Sequence, residues 1–326
     1  MQTEHYIRLT SAELASLWST YMNDSMALCM LKHFREKAHD MQIKPIIEYA
    51  IELSQRHIQR ITEIYKQEKH PIPQAYSDKD VNMQAPSLFG DGFFLHYIKQ
   101  MSRVGIGALG LALALSARQD IRNFYNECVE EVKELDNRAV NLLLNKGIYV
   151  RAPFISIPTR IDFVKKEHFL GHLFGNEQRP ILAIEATHLY ANIQTNALGK
   201  ALVTGFSQVA HSQKIREYLV KGREIAGNHI GILSEFLNKS EMKAPMTWDD
   251  TVTSSTVPTF SDKFILAHVV AVISIGMADY GAALAISARK DLAVTYSRLI
   301  TEIGMYASEG VKLMIENEWM EQPPQA

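Results

Sequence analysis

Cysteine is nearly missing from this chain: there are two in 326 residues, Cys29 and Cys128, both in the first half. Two thiols make no disulfide framework; they read as small buried hydrophobes of a protein kept in a reducing, cytoplasmic setting. Charge of one sign is also missing. The 34 basic and 36 acidic side chains leave a net charge of −2, without the basic field that nucleic acid needs. There is no phosphate-cradling glycine loop, no zinc-type Cys/His spacing and no nucleophile elbow. Met1–Thr10 is polar, so a secretory signal is not expected. One long apolar run occurs, Phe264 to Ala288, but it contains His268 and Asp279. A lipid-facing Asp is costly. The run is therefore expected to be a buried core helix, with no membrane span.

What the sequence does contain is itself, twice. Aligning Phe89–Asp120 on Phe260–Asp291 needs a shift of 171 and no gap. Phe89/Phe260, Asp91/Asp262, Phe93/Phe264, Gly105/Gly276 and Gly110/Gly281 are then identical, as is the run Ser116-Ala117-Arg118 with Ser287-Ala288-Arg289. Nearer the N-terminus a shift of 172 pairs His39 with His211, Glu52 with Glu224, His57 with His229 and Pro73 with Pro245. So many matches in one order identify an internal duplication.

Each half reads as four helices. Thr10 and Glu13 form a capping-box start. Leu14, Leu17, Tyr21, Leu28 and Leu31 then recur at helical spacing, and Ile43, Ile47, Ala50, Leu53, His57, Ile61 and Ile64 mark a second helix. Third and fourth helices are expected over about Gly92–Ala117 and Asp120–Lys146. The connection from His70 to Asp91, like its counterpart from Ser240 to Asp262, is too long for a tight turn. One long helix 2–helix 3 crossover is the connectivity of ferritin-like bundles. The expected fold class is thus all-α, two tandem ferritin-like four-helix bundles. The expected domains are residues 1–150 and 180–326, joined by a linker, 151–179, whose Phe163, Phe169 and Phe174 should pack on the bundles.

A ferritin-like bundle raises the question of a di-iron site, which needs Glu-x-x-His on two helices and a Glu on each of two others. The pair occurs at Glu36/His39 and Glu185/His188, both on the first helix of a repeat and at non-equivalent positions. An intact di-iron centre is therefore not expected. A thinner set recurs in both halves: His57 with Glu131 and Asp24, and His229 with Glu302 and Asn196. Such a set could hold a single iron, manganese or zinc ion or line a small polar pocket. It could equally be a buried His–Glu pair that fixes bundle register, since buried polar groups are normally paired. Both readings stay open at this point. His39 and His211 read as partners for helix C-termini. The aromatic stripe of Trp18, Tyr21, Phe93, Phe94, Tyr97 and Phe124 reads as core, and Lys165-Lys166-Glu167-His168 as a solvated segment.

The segments Leu17–Met26, Leu113–Arg118, Asn192–Leu202, Ala244–Asp249 and Trp319–Pro324 resemble a domain-of-unknown-function family of spore-forming bacilli, in which two tandem copies are usual. The resemblance covers essentially the whole chain. It implies a ferritin-like helical fold and an association with spore coat proteins, and it implies no activity and no metal ligands. The resulting expectation is a non-enzymatic structural or interaction protein of the cytoplasm or spore. Its alternatives are a metal- or small-ligand-binding protein or a metal-dependent oxidoreductase. A homodimer is the default assembly, since two-fold association is the commonest, with other coat or envelope proteins as further partners.

Overall fold

A computed structural model describes residues 7–171 and 178–325. Among these the chain forms eight α-helices and no β-strand. They are α1 (Ser11–Lys37), α2 (Lys44–Gln67), α3 (Asp91–Leu115), α4 (Gln119–Asn145), α5 (Ala183–Val209), α6 (Gln213–Lys239), α7 (Asp262–Ile286) and α8 (Lys290–Glu316). The fold is all-α, two tandem four-helix halves, each with short links inside its helix pairs and one long crossover between them.

The local chemistry explains where helices start and stop. Thr10 and Glu13 make the reciprocal capping box at the start of α1. Pro45 sits in the first turn of α2, where its missing N–H has no partner to lose. Gly147 takes φ +69 just past α4 and lets Ile148 donate back to the Leu143 carbonyl. On α2 and α4 the buried residues recur every three or four positions, including Ile47, Ile61 and Tyr65, and Ile121, Tyr125 and Leu143.

The chain divides into two compact units that do not follow the repeat boundary. The first holds Met1–Tyr149 together with Thr253–Phe264 and Trp319–Ala326; the second holds Val150–Val252 and Ile265–Glu318. Within the first, α1 packs on α2 and α3, and α4 on α2 and α3. The stretch 253–264 runs antiparallel to the first crossover, with Val81 bridging Phe260. Asn82 N–H donates to the Thr259 carbonyl at 2.7 Å, and Thr253 N–H donates to the Leu88 carbonyl at 2.9 Å. The repeat offset carries Asn82 onto Thr253 and Thr259 back onto Leu88, so each crossover gives the other the same bond. The Glu321 carboxylate closes the first unit by accepting the N–H groups of Gln74 and Ala75.

Two expectations need correction. The linker does not fold its aromatics onto a bundle: Phe163 is exposed, and only Phe169 is half-covered, under the Arg179 guanidinium at 4.4 Å. Pro153 and Pro158 interrupt the segment, and no helix or strand forms from 148 to 166 to present a continuous apolar face. Phe174 lies outside the described residues. Second, the apolar helix α7 is not buried throughout: Phe264–Val269, Tyr280 and Ala283 are in the core, and much of the remainder is half-exposed. By length and composition α3 and α7 could each cross a membrane. Asp279 of α7 accepts the Thr195 hydroxyl of α5 at 2.9 Å.

In the second unit α6 and α8 lock through two tyrosines. The rings of Tyr218 and Tyr306 stack at 4.2 Å, and each hydroxyl donates to the other's backbone carbonyl. Each hydroxyl also lies against a glycine one turn beyond the facing tyrosine: Tyr306 against Gly222 and Tyr218 against Gly310. In the first half the four positions are Ile46, Leu135, Ala50 and Ala139, so a smaller apolar pair goes with a larger small residue. Gly222→Ala and Gly310→Ala should each lower stability by about 1–3 kcal/mol through overpacking. Gly231 has nothing within 4 Å of an added Cβ, and Gly231→Ala should raise stability by about 0.5–1 kcal/mol. Denaturant melts followed by circular dichroism check all three; equal effects at the three sites would contradict the lock.

Candidate functional site

The structure brings Asp24, His57 and Glu131 together in the first unit. His57 stands on the buried stripe of α2, Asp24 faces it from α1 and Glu131 from α4. Its Nδ1 lies 3.0 Å from Asp24 Oδ2 and its Nε2 3.0 Å from Glu131 Oε2. With a carboxylate at each end, both nitrogens donate and the ring is an imidazolium. The outer oxygens are also engaged. Ser54 donates to Asp24 Oδ1 at 2.9 Å, and Arg56 donates to Glu131 Oε1 at 3.0 and 2.8 Å.

Burial by itself would push the His57 pKa down, but hydrogen bonds to Asp24, the Cys128 side chain and Glu131 outweigh it and hold it at about 12. The His57 hydrogen bond in turn keeps Glu131 below the usual carboxylate range, against the effect of burial and with help from Arg56. Burial pushes the Cys128 thiol up. Alongside lies an open cleft of about 260 Å³, lined by Arg56, Arg60, Phe124, Glu127 and Cys128 around the His57 edge.

The second unit builds the same place differently. His229 Nε2 is 3.3 Å from Glu302 Oε2, but Nδ1 meets the Tyr280 hydroxyl at 2.9 Å. Asn196 does not reach the ring; its Nδ2 donates to the same hydroxyl at 2.7 Å. With that lone pair of Tyr280 taken, the network assigns the tyrosine proton to His229 Nδ1 and the ring proton to Nε2. Burial lowers the His229 pKa, and the Glu302 bond does not offset it. The ring is neutral. Several positions change together between halves: Asp24 to Asn196, Leu109 to Tyr280, Arg56 to Asn228 and Cys128 to Leu299. The acid that charges the first ring is replaced by an amide, and a tyrosine fills the space between.

Tyr280, Ser54 and Arg56 are members that pattern reading passes over. The repeat comparison held the signal for Tyr280, a hydroxyl where the other half has Leu109. Next to Asn196 and Tyr280 lies an apolar cavity of about 70 Å³, bounded by Gly199, Gly276, Val269 and Ile303.

Asp24 and Glu131 meet opposite edges of the His57 ring, so the two carboxylates do not face one shared point beside a single ring nitrogen. Among the described residues no group of three or more His, Cys, Asp or Glu side chains is placed to hold a metal ion. The Glu-x-x-His pairs serve elsewhere. Glu36 pairs with Arg35 on the surface. Glu185 is buried and accepts from Arg179 and from the N–H groups of Leu182 and Arg289. His39 contributes its backbone N–H to Asp91.

Fold and networks together define a tandem all-α bundle protein with one polar pin in each half. The chain belongs to the family described as protein of unknown function DUF3231, which matches residues 1–161 and again 171–326. Among solved structures it is similar to the crystal structure of a candidate spore coat protein from Bacillus halodurans C-125. That similarity is 19% identity over 48% of this chain and 98% of the other, with a TM-score of 0.40. No curated protein matches the chain.

The raised pKa has a definite pH consequence. The stabilisation from the His57 imidazolium is full below its unfolded value near 6.5 and is lost as pH rises toward about 12. Side-chain NMR should therefore show His57 protonated and static between about pH 5 and about pH 9, while His229 stays neutral above its ordinary value. Asp24→Asn should bring His57 into titration within that window. A His57 that titrates near 6.5 in the unaltered protein would contradict the assignment.

Proposed function

We propose that this chain is a non-enzymatic structural or interaction protein whose ferritin-like halves present helical surfaces for assembly. In this reading Asp24–His57–Glu131 and Asn196–Tyr280–His229–Glu302 fix bundle register. The observation that carries it is the closure of the first network. Both ring N–H groups of His57 donate to carboxylates, and the remaining oxygens of those carboxylates accept from Ser54 and Arg56. A reacting group needs a free lone pair or a movable proton, and this ring offers neither near neutral pH. The change to a neutral network in the second half fits the same reading, since packing needs satisfied groups and not a particular charge. The segments that resemble the family of spore-forming bacilli support an association with the spore coat or the sporulating cell and with other coat or envelope proteins, while the scarcity of cysteine and the commonness of two-fold assembly support a cytoplasmic homodimer.

A second reading, a small-ligand site, is favoured by the cleft beside His57 and the cavity beside Tyr280.

The test is metal loading and stability on the same samples. Protein purified without a chelating tag, loaded with iron, manganese or zinc and desalted, should retain well below about one ion per chain by elemental analysis. His57→Ala should leave that figure unchanged while destabilising the fold by about 3–5 kcal/mol, because it strands two partly buried carboxylates. Stoichiometric metal in the unaltered protein, lost in His57→Ala, would replace the structural reading with a metal site.

A further inference from the structure

From residue 148 to residue 166 the chain has neither helix nor strand. Both ends of this strap are held within the second unit. The Tyr190 hydroxyl donates to the Val150 carbonyl, and Arg179 donates to the Phe169 carbonyl and covers its ring. Between those anchors the large apolar side chains point into solvent: Phe154 is 88% exposed, Ile157 90%, Ile161 87% and Phe163 80%. Ile155 and Val164 are exposed as well. Soluble surfaces rarely carry so many large apolar groups in one short segment, and such patches mark interaction sites.

The charge of the same segment says what it meets. Residues 151–166 carry four basic side chains, Arg151, Arg160, Lys165 and Lys166, against one acid, Asp162, in a chain whose net charge is −2. A cationic segment bearing Phe and Ile is suited to an anionic bilayer, where the basic groups meet lipid headgroups and the apolar ones enter the acyl boundary. Strand addition to a protein partner is disfavoured by the prolines. Pro153 and Pro158 are five residues apart, and in an extended strand odd spacing puts successive missing N–H groups on opposite edges. Neither edge is then complete. We infer that the strap 151–166 is a docking element for an anionic membrane surface, tethered at both ends and inserting Phe154, Ile157, Ile161 and Phe163 at the lipid boundary. This goes beyond the structural reading above and does not depend on either polar network.

The experiment is co-sedimentation of the full chain with vesicles of phosphatidylcholine alone and of phosphatidylcholine with about one-third phosphatidylglycerol. Binding is expected to the anionic vesicles and to weaken with added salt. It should fall at least about tenfold when Phe154, Ile157, Ile161 and Phe163 are all changed to Ser, and should also fall in Lys165→Gln/Lys166→Gln. The four apolar positions are exposed, so the Ser variant should keep the thermal melt of the parent, which separates lost docking from lost folding. Two results would overturn the proposal. One is no binding of the parent chain to anionic vesicles, which would point the strap to a protein partner. The other is binding unchanged in the four-Ser variant.

Discussion

A buried carboxylate at the first turn of each repeat ties together elements that are distant in sequence. Glu13 is fully buried and accepts from Thr10 at its own helix start and from the N–H groups of Ala117 and Arg118, where α3 gives way to α4. Burial pushes its pKa up, but those backbone and hydroxyl donors outweigh it and leave the group below the usual carboxylate range. Glu185 repeats the arrangement with Leu182 and Arg289. Asp91 is the converse clamp: at the start of α3 it accepts from His39 and Asp40 in the turn between α1 and α2. In the first half each helix pair thus caps the turn of the other with an acid. Backbone groups freed at a helix end must find partners when buried, and here one carboxylate serves two ends at once. The identical Ser-Ala-Arg runs belong to this junction: Ser116 and Ser287 each bond back to a carbonyl four residues earlier.

Within that frame the interior polar positions have diverged by compensation. An imidazolium between two carboxylates and an arginine is satisfied, and so is a neutral imidazole between a phenol and a carboxylate. In the second half Asn196 turns to the Tyr280 hydroxyl, and that hydroxyl meets the ring nitrogen equivalent to the one Asp24 meets in the first. The Tyr218/Tyr306 lock shows the same logic in volume: the larger rings occur where Gly222 and Gly310 leave space, and alanines stand where the facing residues are Ile46 and Leu135.

The crossovers place a second constraint on the duplicated chain. Asn82 to Thr259 and Thr253 to Leu88 are one bond read from each copy. Both segments lack regular structure, so each leaves backbone donors and acceptors that the helices do not satisfy. Pairing two copies of one irregular segment meets that need with no new sequence, which explains why residues 253–264 group with the first compact unit.

The sequence by itself determined the duplication, the eight helices and the long crossovers, because helical periodicity, capping residues and repeat offsets are local or linear properties. It also picked out His57 with Glu131 and His229 with Glu302, since a polar residue on an apolar stripe shows in the pattern. What it left open was the state of those rings. Asp24 and Asn196 differ by one atom in a side chain, yet one ring is charged and the other neutral, because ionisation depends on what reaches each ring nitrogen through space. Tyr280, Ser54 and Arg56 enter the networks from positions whose spacing carries no such signal. The exposure of Phe163 likewise followed from what failed to cover it. Only the tertiary structure decides these matters, because burial and electrostatic pairing are set by neighbours that linear order does not specify.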